Sequence, residues 1–275
     1  MKYCRFMFGE RAQYGRVDER GGGFEITALT EAPEEDLRFK LENMGASSLD
    51  AAVRGLEFEP MPLSAAELLP PVTPSKIICV GRNYREHVKE MGSEMPTEPV
   101  LFFKPPSSLL GPGGVVRLPA LSKRVDFEGE LALVMGKRAY KLSPEANWRE
   151  VVRGFTIAND ISARDLQQKD SQWTRAKGFD TFCCVGPIVS DEPGLDAGVT
   201  LETRVNGEVR QHATTLDFIF PVPLLLSYIT AVMTLMPGDL VLTGTPAGVG
   251  PLKAGDRVEV SIAGLGVLEN TMEAE

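Results

Sequence analysis

Short apolar runs between glycine and proline constrain this chain more than any other feature of its sequence. They fall at residues 77–80, 100–103, 131–135, 155–158, 240–243 and 258–262. Each is too short for an ordinary helix and is bounded by turn formers, so the pattern predicts strands. Residues 200–205 and 208–212 flank Asn206-Gly207, the preferred pair for a two-residue type I′ turn, and predict a β-hairpin. Helices are fewer. One is expected over residues 84–91, and another after Asp160, where Ser162 with Asp165 three residues on resembles a capping box. The expected class is mainly β with a few helices, an α+β chain.

Residues 1 to about 70 differ in texture. They carry strand-like pieces around Gly15 and Gly22, a Glu-rich polar stretch, and then Pro60, Pro62, Pro70, Pro71 and Pro74. A boundary near Val72 divides a small N-terminal domain (1–71) from a larger one (72–275). A length of 275 residues with 43% hydrophobic content supports a full core. The formal charge of -9, with scattered basic residues, argues against nucleic acid as a partner. A small anionic substrate would need local positive charge.

Residues 218–236 approach the roughly 20 apolar residues of a membrane span. Pro221 and Pro223 interrupt them, and Ser227, Tyr228, Thr230 and Thr234 dilute the remainder, so a buried helix of about three turns is expected, and no membrane partner. The N-terminal residues carry charges and no long apolar core, unlike a signal peptide. Cys4, Cys79, Cys183 and Cys184 lack CxxC spacing and read as buried thiols of a cytoplasmic protein.

Three acids are hardest to place. Glu128 and Glu130 lie two apart at the head of an apolar run, and Asp160 ends another. Alternation along a strand sends both glutamates to one face, beside Ala132 and Val134. Unpaired buried carboxylates cost several kcal/mol at least, which a divalent cation would offset. Spacing alone leaves a cation site and an exposed strand end both open. His87 and Glu90, three apart on the expected helix, share a face, so Glu90 can orient His87 or remain an ordinary surface pair. His212 at a hairpin end reads as structural or solvated. Lys177 precedes a glycine, and residues 243–250 form a Gly-rich loop able to cradle an anion with backbone N–H groups. The loop lacks a P-loop ending. Arg82, Asn83, Lys104, Arg164 and Gln167 stand near predicted element ends, and singly each reads as a surface residue.

Together these segments strongly resemble the fumarylacetoacetate hydrolase family. The matching runs are Ile78-Cys79-Val80-Gly81-Arg82-Asn83-Tyr84 with His87 and Glu90, Phe103-Lys104-Pro105, and Asp126-Phe127-Glu128-Gly129-Glu130-Leu131. They continue with Asn159-Asp160-Ile161-Ser162-Ala163-Arg164-Asp165, Lys177-Gly178-Phe179-Asp180-Thr181 and the stretch from Leu242 to Gly250, in family order over about residues 72–270. The resemblance implies a twisted mixed β-roll core with a small N-terminal domain, a homodimer, and a catalytic Mg²⁺ or Mn²⁺ on Glu128, Glu130 and Asp160. Larger fumarylacetoacetase members carry a further metal-binding Asp seven residues before the active-site His. Here that position is Val80, which places the chain nearer the shorter members: acylpyruvate hydrolases, oxaloacetate decarboxylases and hydroxymuconate-pathway isomerases.

The implied activity is metal-dependent C–C cleavage of a small 2,4-diketo acid of the acylpyruvate or fumarylpyruvate type. His87, polarised by Glu90, would activate water, and Lys177 would stabilise the oxyanion. Thr245 and the Gly-rich loop, with Arg82 and Gln167, would hold the anionic substrate. Oxaloacetate decarboxylation needs the same site without the water. Isomerisation of a 2-hydroxyhepta-2,4-diene-1,7-dioate is the alternative. A non-catalytic binding module would have lost at least one of the six implied metal and acid–base residues, and all are present.

Overall fold

The computed structural model describes residues 1–33, 58–191, 194 and 197–275. Each apolar run named above becomes a strand: Ile77–Gly81, Val100–Lys104, Gly129–Met135, Val152–Asp160, Leu240–Leu242 and Arg257–Ile262. Five of them, with Cys183–Ser190 as a sixth neighbour, lie in one large mixed sheet, in the order Cys183–Ser190, Val152–Asp160, Gly129–Met135, Leu240–Leu242, Ile77–Gly81, Val100–Lys104. The pair Leu240–Leu242 with Ile77–Gly81 is parallel, and the other neighbours in this series are antiparallel. A second sheet runs Glu208–Thr214, Thr200–Val205, Arg257–Ile262, Gly266–Ala274, Val115–Leu118.

The main core lies between these sheets. Leu131, Leu133 and Ile157 of the first sheet cluster with Leu201, Val258 and Val260 of the second, while Ala132, Val134 and Ala158 face the other way with Cys79, Leu240 and Leu242. All four cysteines are buried free thiols, as expected. Gly129 is required where the sheets approach, because an added Cβ would stand 2.2 Å from Thr203 Oγ1. The Asn206-Gly207 hairpin forms as its sequence predicts, with φ of 53° and 83° and Val205 opposite Glu208. The apolar stretch near residue 220 becomes the helix Val222–Val232, with Pro221 at its N-cap. Among the described residues, no helix is long and apolar enough to cross a membrane.

Strands Lys2–Phe8, Arg11–Arg20 and Gly23–Thr30 extend the large sheet, joined to it through Lys2 opposite Ser190 and Tyr3 opposite Val189. Cys4, Phe6, Val17 and Ile26 build a small cluster there with Leu63 and Ile188. Much of the Glu-rich polar stretch falls outside the described residues.

One local expectation is overturned. The helix after Asp160 runs Arg164–Lys169 with Ala163 at its N-cap and no side-chain cap. Ser162 instead donates to the Asp160 carbonyl (2.9 Å), and Asp165 accepts from Ser122 Oγ (2.6 Å) and Lys123 N (3.0 Å). Ser162 belongs to a two-residue strand paired with Val125–Phe127, which takes it out of capping position.

Candidate active site

The antiparallel ladder brings the three acids together. Glu130 lies opposite Ala158 and Gly129 opposite Asn159, so Asp160 falls beside Glu128, whose carbonyl accepts its N–H at 2.8 Å. Glu128 stands just outside the strand, in the single-residue break between Val125–Phe127 and Gly129–Met135. Its amide donates to Asn159 Oδ1 and the next amide to Gln211 Oε1, which fixes the break. All three acids are buried, with one carboxylate oxygen from each within 4.8 Å of the others. The exposed strand end left open by the spacing is thereby excluded.

Cations surround two of the acids. Glu128 accepts from Arg164 Nη2 and Lys177 Nζ, both at 2.7 Å. Asp160 accepts from Lys104 Nζ at 2.6 Å and Lys177 Nζ at 2.8 Å. Burial alone would raise the Glu128 carboxyl, but Lys177, Arg164 and His87 overcome it and hold it below the usual carboxylate range. Glu130 differs. It accepts Gly244 N–H at 2.6 Å and has no ion-pair partner among the described residues, so burial, then Asp160 and Glu128, push its carboxyl well up. A buried carboxyl lacking a cation, beside two that are bonded to lysine and arginine, is the pattern a divalent ion would resolve. The all-oxygen donor set fits such an ion.

Lys104 and Arg164 correct a sequence expectation. Both were expected at the surface, yet both are buried, as is Asn83. Arg164 also donates to Asp126 Oδ2 (2.9 Å) and to Gln167 Oε1 (2.6 Å), so three side chains, with Glu128, converge on it. The signal available was position: Arg164 follows Asp160 by four residues, and Lys104 ends an apolar strand.

His87 comes from the short helix Arg85–Glu90 and is buried. Its Nδ1 lies 3.3 Å from Glu90 Oε2, and Glu90 is itself held by Gly248 N–H at 3.0 and 3.2 Å. Burial lowers His87 below its ordinary value, only partly offset by Glu128 and Glu90. Burial opposes the Lys177 ammonium, but Asp160 and Glu128 raise it above its ordinary value. The Gly-rich loop therefore acts differently from expectation. Its Gly244 and Gly248 amides cradle the protein's own carboxylates, Glu130 and Glu90, which claim those donors first.

A pocket of about 350 Å³ gathers these groups. Arg82, His87, Glu128, Glu130, Asp160, Gln167, Lys177 and Thr245 all line it, and Glu90 stands behind His87. Thr245 donates to the Gly129 carbonyl and accepts from Gln211, tying the loop to the break at Glu128. Phe102 and Trp173 form an apolar wall, with ring centroids 5.2 Å apart and edge to face. Sequence reasoning missed Trp173, which lies in a polar segment with no periodicity.

The mixed β-roll thus carries a buried triad of carboxylates that could hold a divalent ion, with a His–Glu pair and a charged lysine at the same pocket. The chain belongs to the fumarylacetoacetate hydrolase family: residues 76–273 match the model of the fumarylacetoacetate (FAA) hydrolase C-terminal domain. It is 53% identical to protein Rv2993c of Mycobacterium tuberculosis over 211 residues, covering 76% of this chain and 79% of that protein. It is 43% identical to the mitochondrial oxaloacetate tautomerase FAHD1 of Arabidopsis thaliana over 204 residues, covering 72% and 91%. Among solved structures it is similar to 5-carboxymethyl-2-hydroxymuconate delta-isomerase from Mycobacterium smegmatis, with TM-score 0.83, 36% identity and full coverage of both chains. Members of this family are enzymes.

Proposed function

We propose that this pocket moves a proton on a small anionic 2-keto acid, interconverting its keto and enol or dienol forms, with Mg²⁺ or Mn²⁺ held by Glu128, Glu130 and Asp160. Hard ions of this kind prefer oxygen ligands. When bound, the ion would polarise the substrate's 1-carboxylate and 2-keto oxygens, which acidifies the adjacent C–H.

The observation that carries the proposal is the opposition of His87 and Lys177 in one pocket. Their surroundings push them apart, His87 down and Lys177 up, so one is a neutral base and the other a fixed cation near neutral pH. His87 takes the C3 proton as the C–H electrons pass towards the C2 oxygen; delivery of the proton to that oxygen gives the enol, and return at C5 gives the isomerised diene. Glu90 keeps the ring oriented and favours its protonated form in transit. Lys177 places positive charge where the substrate oxygen gains electrons. Thr245 and Gln167 shape the wall that holds the substrate. The tautomerase and delta-isomerase that the chain resembles support this class of reaction.

Hydrolysis of a 2,4-diketo acid is the second reading, supported by the pocket's volume. About 350 Å³ is at the small end for ligand sites, yet it leaves space for a water of about 30 Å³ beside a small acid. His87 would then take a proton from water as its oxygen attacks C4, and the C3–C4 bond would break with its electrons passing to C3, which takes up the proton that His87 holds. Decarboxylation of oxaloacetate would use the same groups without water. A homodimeric, cytoplasmic enzyme completes the proposal, with light scattering expected to give twice the chain mass.

A steady-state panel with Mg²⁺ tests the choice, comparing enol–keto exchange of oxaloacetate, isomerisation of a hydroxymuconate-type diene, oxaloacetate decarboxylation and cleavage of acetylpyruvate. Proton transfer is expected to show the highest kcat/KM. Dominant acetylpyruvate cleavage would move the assignment to the hydrolase, and no turnover in any arm would overturn both.

A further inference from the structure

We propose that Arg82 reads the far carboxylate of the substrate, so that the pocket selects dicarboxylic 2-keto acids over those with a neutral far end. This rests on the 2-keto acid chemistry above and extends it to the half of the substrate that the carboxylate cluster does not touch.

Charge assignments single Arg82 out. Arg164 and Lys177, the other permanent cations lining the pocket, each bridge two carboxylates. Among the described residues Arg82 has no ion-pair partner, and it bonds to none of Glu128, Glu130 and Asp160. A half-buried guanidinium with its fork uncommitted matches a carboxylate in geometry as well as charge.

The backbone presents Arg82 deliberately. Its φ of 59° lies in the left-handed region, which side chains other than glycine, asparagine and aspartate seldom occupy. Such a conformation persists when its neighbours over-determine it. On one side, Gly81 packs under Trp173 so closely that an added Cβ would stand 2.9 Å from the indole. On the other, the fully buried Asn83 donates to the Thr243 carbonyl at 2.8 Å and to the Phe220 carbonyl at 3.3 Å. It also accepts Phe220 N–H at 2.8 Å, and its own carbonyl accepts Ile219 N–H at 2.7 Å. With both flanks fixed, the strained residue between them is aimed at the pocket. The Phe102 and Trp173 wall supplies the apolar surface that a carbon chain between two carboxylates would lie along.

The test uses matched ligands that differ at the far end alone. Turnover of oxaloacetate is compared with its 4-methyl ester, and binding of malate, which lacks the keto group, with its 4-methyl ester, all with Mg²⁺. The wild type should prefer the diacid in both pairs. Arg82→Gly, which suits the positive φ and so preserves folding, should lower kcat/KM and affinity for the diacids by about 10- to 100-fold and leave the esters within about threefold. Arg82→Lys should restore part of the preference. Equal losses for diacid and ester, an unchanged ratio, or no preference in the wild type would each overturn the assignment. Should neither oxaloacetate form turn over while the malate pair still shows an Arg82-dependent ratio, the proposed reaction fails and the role of Arg82 stands.

Discussion

The helix Arg85–Glu90 carries two pairs at the same spacing, and they have opposite meanings. On its outer face Lys89 donates to Glu86 at 2.7 Å, with side chains 65% and 73% exposed. On its inner face His87 meets Glu90 at 3.3 Å, with His87 7% exposed. The shorter contact is the weaker argument for function. In water the outer pair gains little, because solvent screens it and two long side chains must be ordered. In the inner pair the histidine is desolvated and perturbed, and its more exposed partner Glu90 is anchored by Gly248. Burial of the histidine, rather than distance or spacing, separates the proposed catalytic pair from the surface one. The floor that the inner face overlooks, Glu128 with Glu130 and Asp160, carries the same contrast to its extreme.

That contrast breaks most visibly at the floor. Glu128→Gln keeps the side chain's shape but removes the charge that Arg164 and Lys177 share, and turnover is expected to fall below detection in a Mg²⁺-supported assay. Retention of more than a tenth of the wild-type rate would reject Glu128 as a ligand. His87→Gln comes next, with an expected loss of about 100- to 10,000-fold in kcat and little change in metal affinity by calorimetry. A parallel loss of metal would make His87 part of the ion site instead.

The pH profile sharpens the same comparison. His87 must be neutral to accept a proton, and burial lowers it below 6.5, so the acid limb of kcat/KM should fall below pH 6.5. Lys177 must stay charged, a form that its contacts with Asp160 and Glu128 favour. An acid limb above 6.5 would contradict the burial argument. The smallest effect belongs to the outer face: Lys89→Ala should leave turnover within about twofold and stability within about 0.5 kcal/mol. A larger loss would show that the helix is less divided than its exposure suggests.

The legible parts of this chain were those with local causes. Strand positions followed from apolar runs, the hairpin from Asn206-Gly207, and the helix Val222–Val232 from prolines at its start. The acid triad was half legible: alternation beside an apolar face posed an energetic problem, but spacing alone left an exposed strand end open, and it was the family resemblance that pointed to a cation site. Arg164 was hidden for the converse reason. Its partners Asp126 and Glu128 lie 38 and 36 residues away, and a lone arginine gives no sign that it will be buried by such pairs. The Gly-rich loop revealed its donors but not their targets, since Glu130 and Glu90 reach it from distant segments. Continuity of the N-terminal strands with the large sheet rests on Lys2 and Tyr3 meeting Ser190 and Val189, pairings that no local pattern encodes.

The central claim is that Glu128, Glu130 and Asp160 hold a divalent ion, and Mn²⁺ titration followed by electron paramagnetic resonance tests it most directly. Glu130→Gln is the informative variant, because burial already disfavours the Glu130 charge and a neutral isostere should fold normally. The wild type is expected to take up one tightly bound Mn²⁺ per chain, and the variant to lose more than about 100-fold in affinity, since even outer-shell partners of a metal are worth 10–100-fold. Equal binding by both proteins, or no binding by the wild type, would contradict the claim.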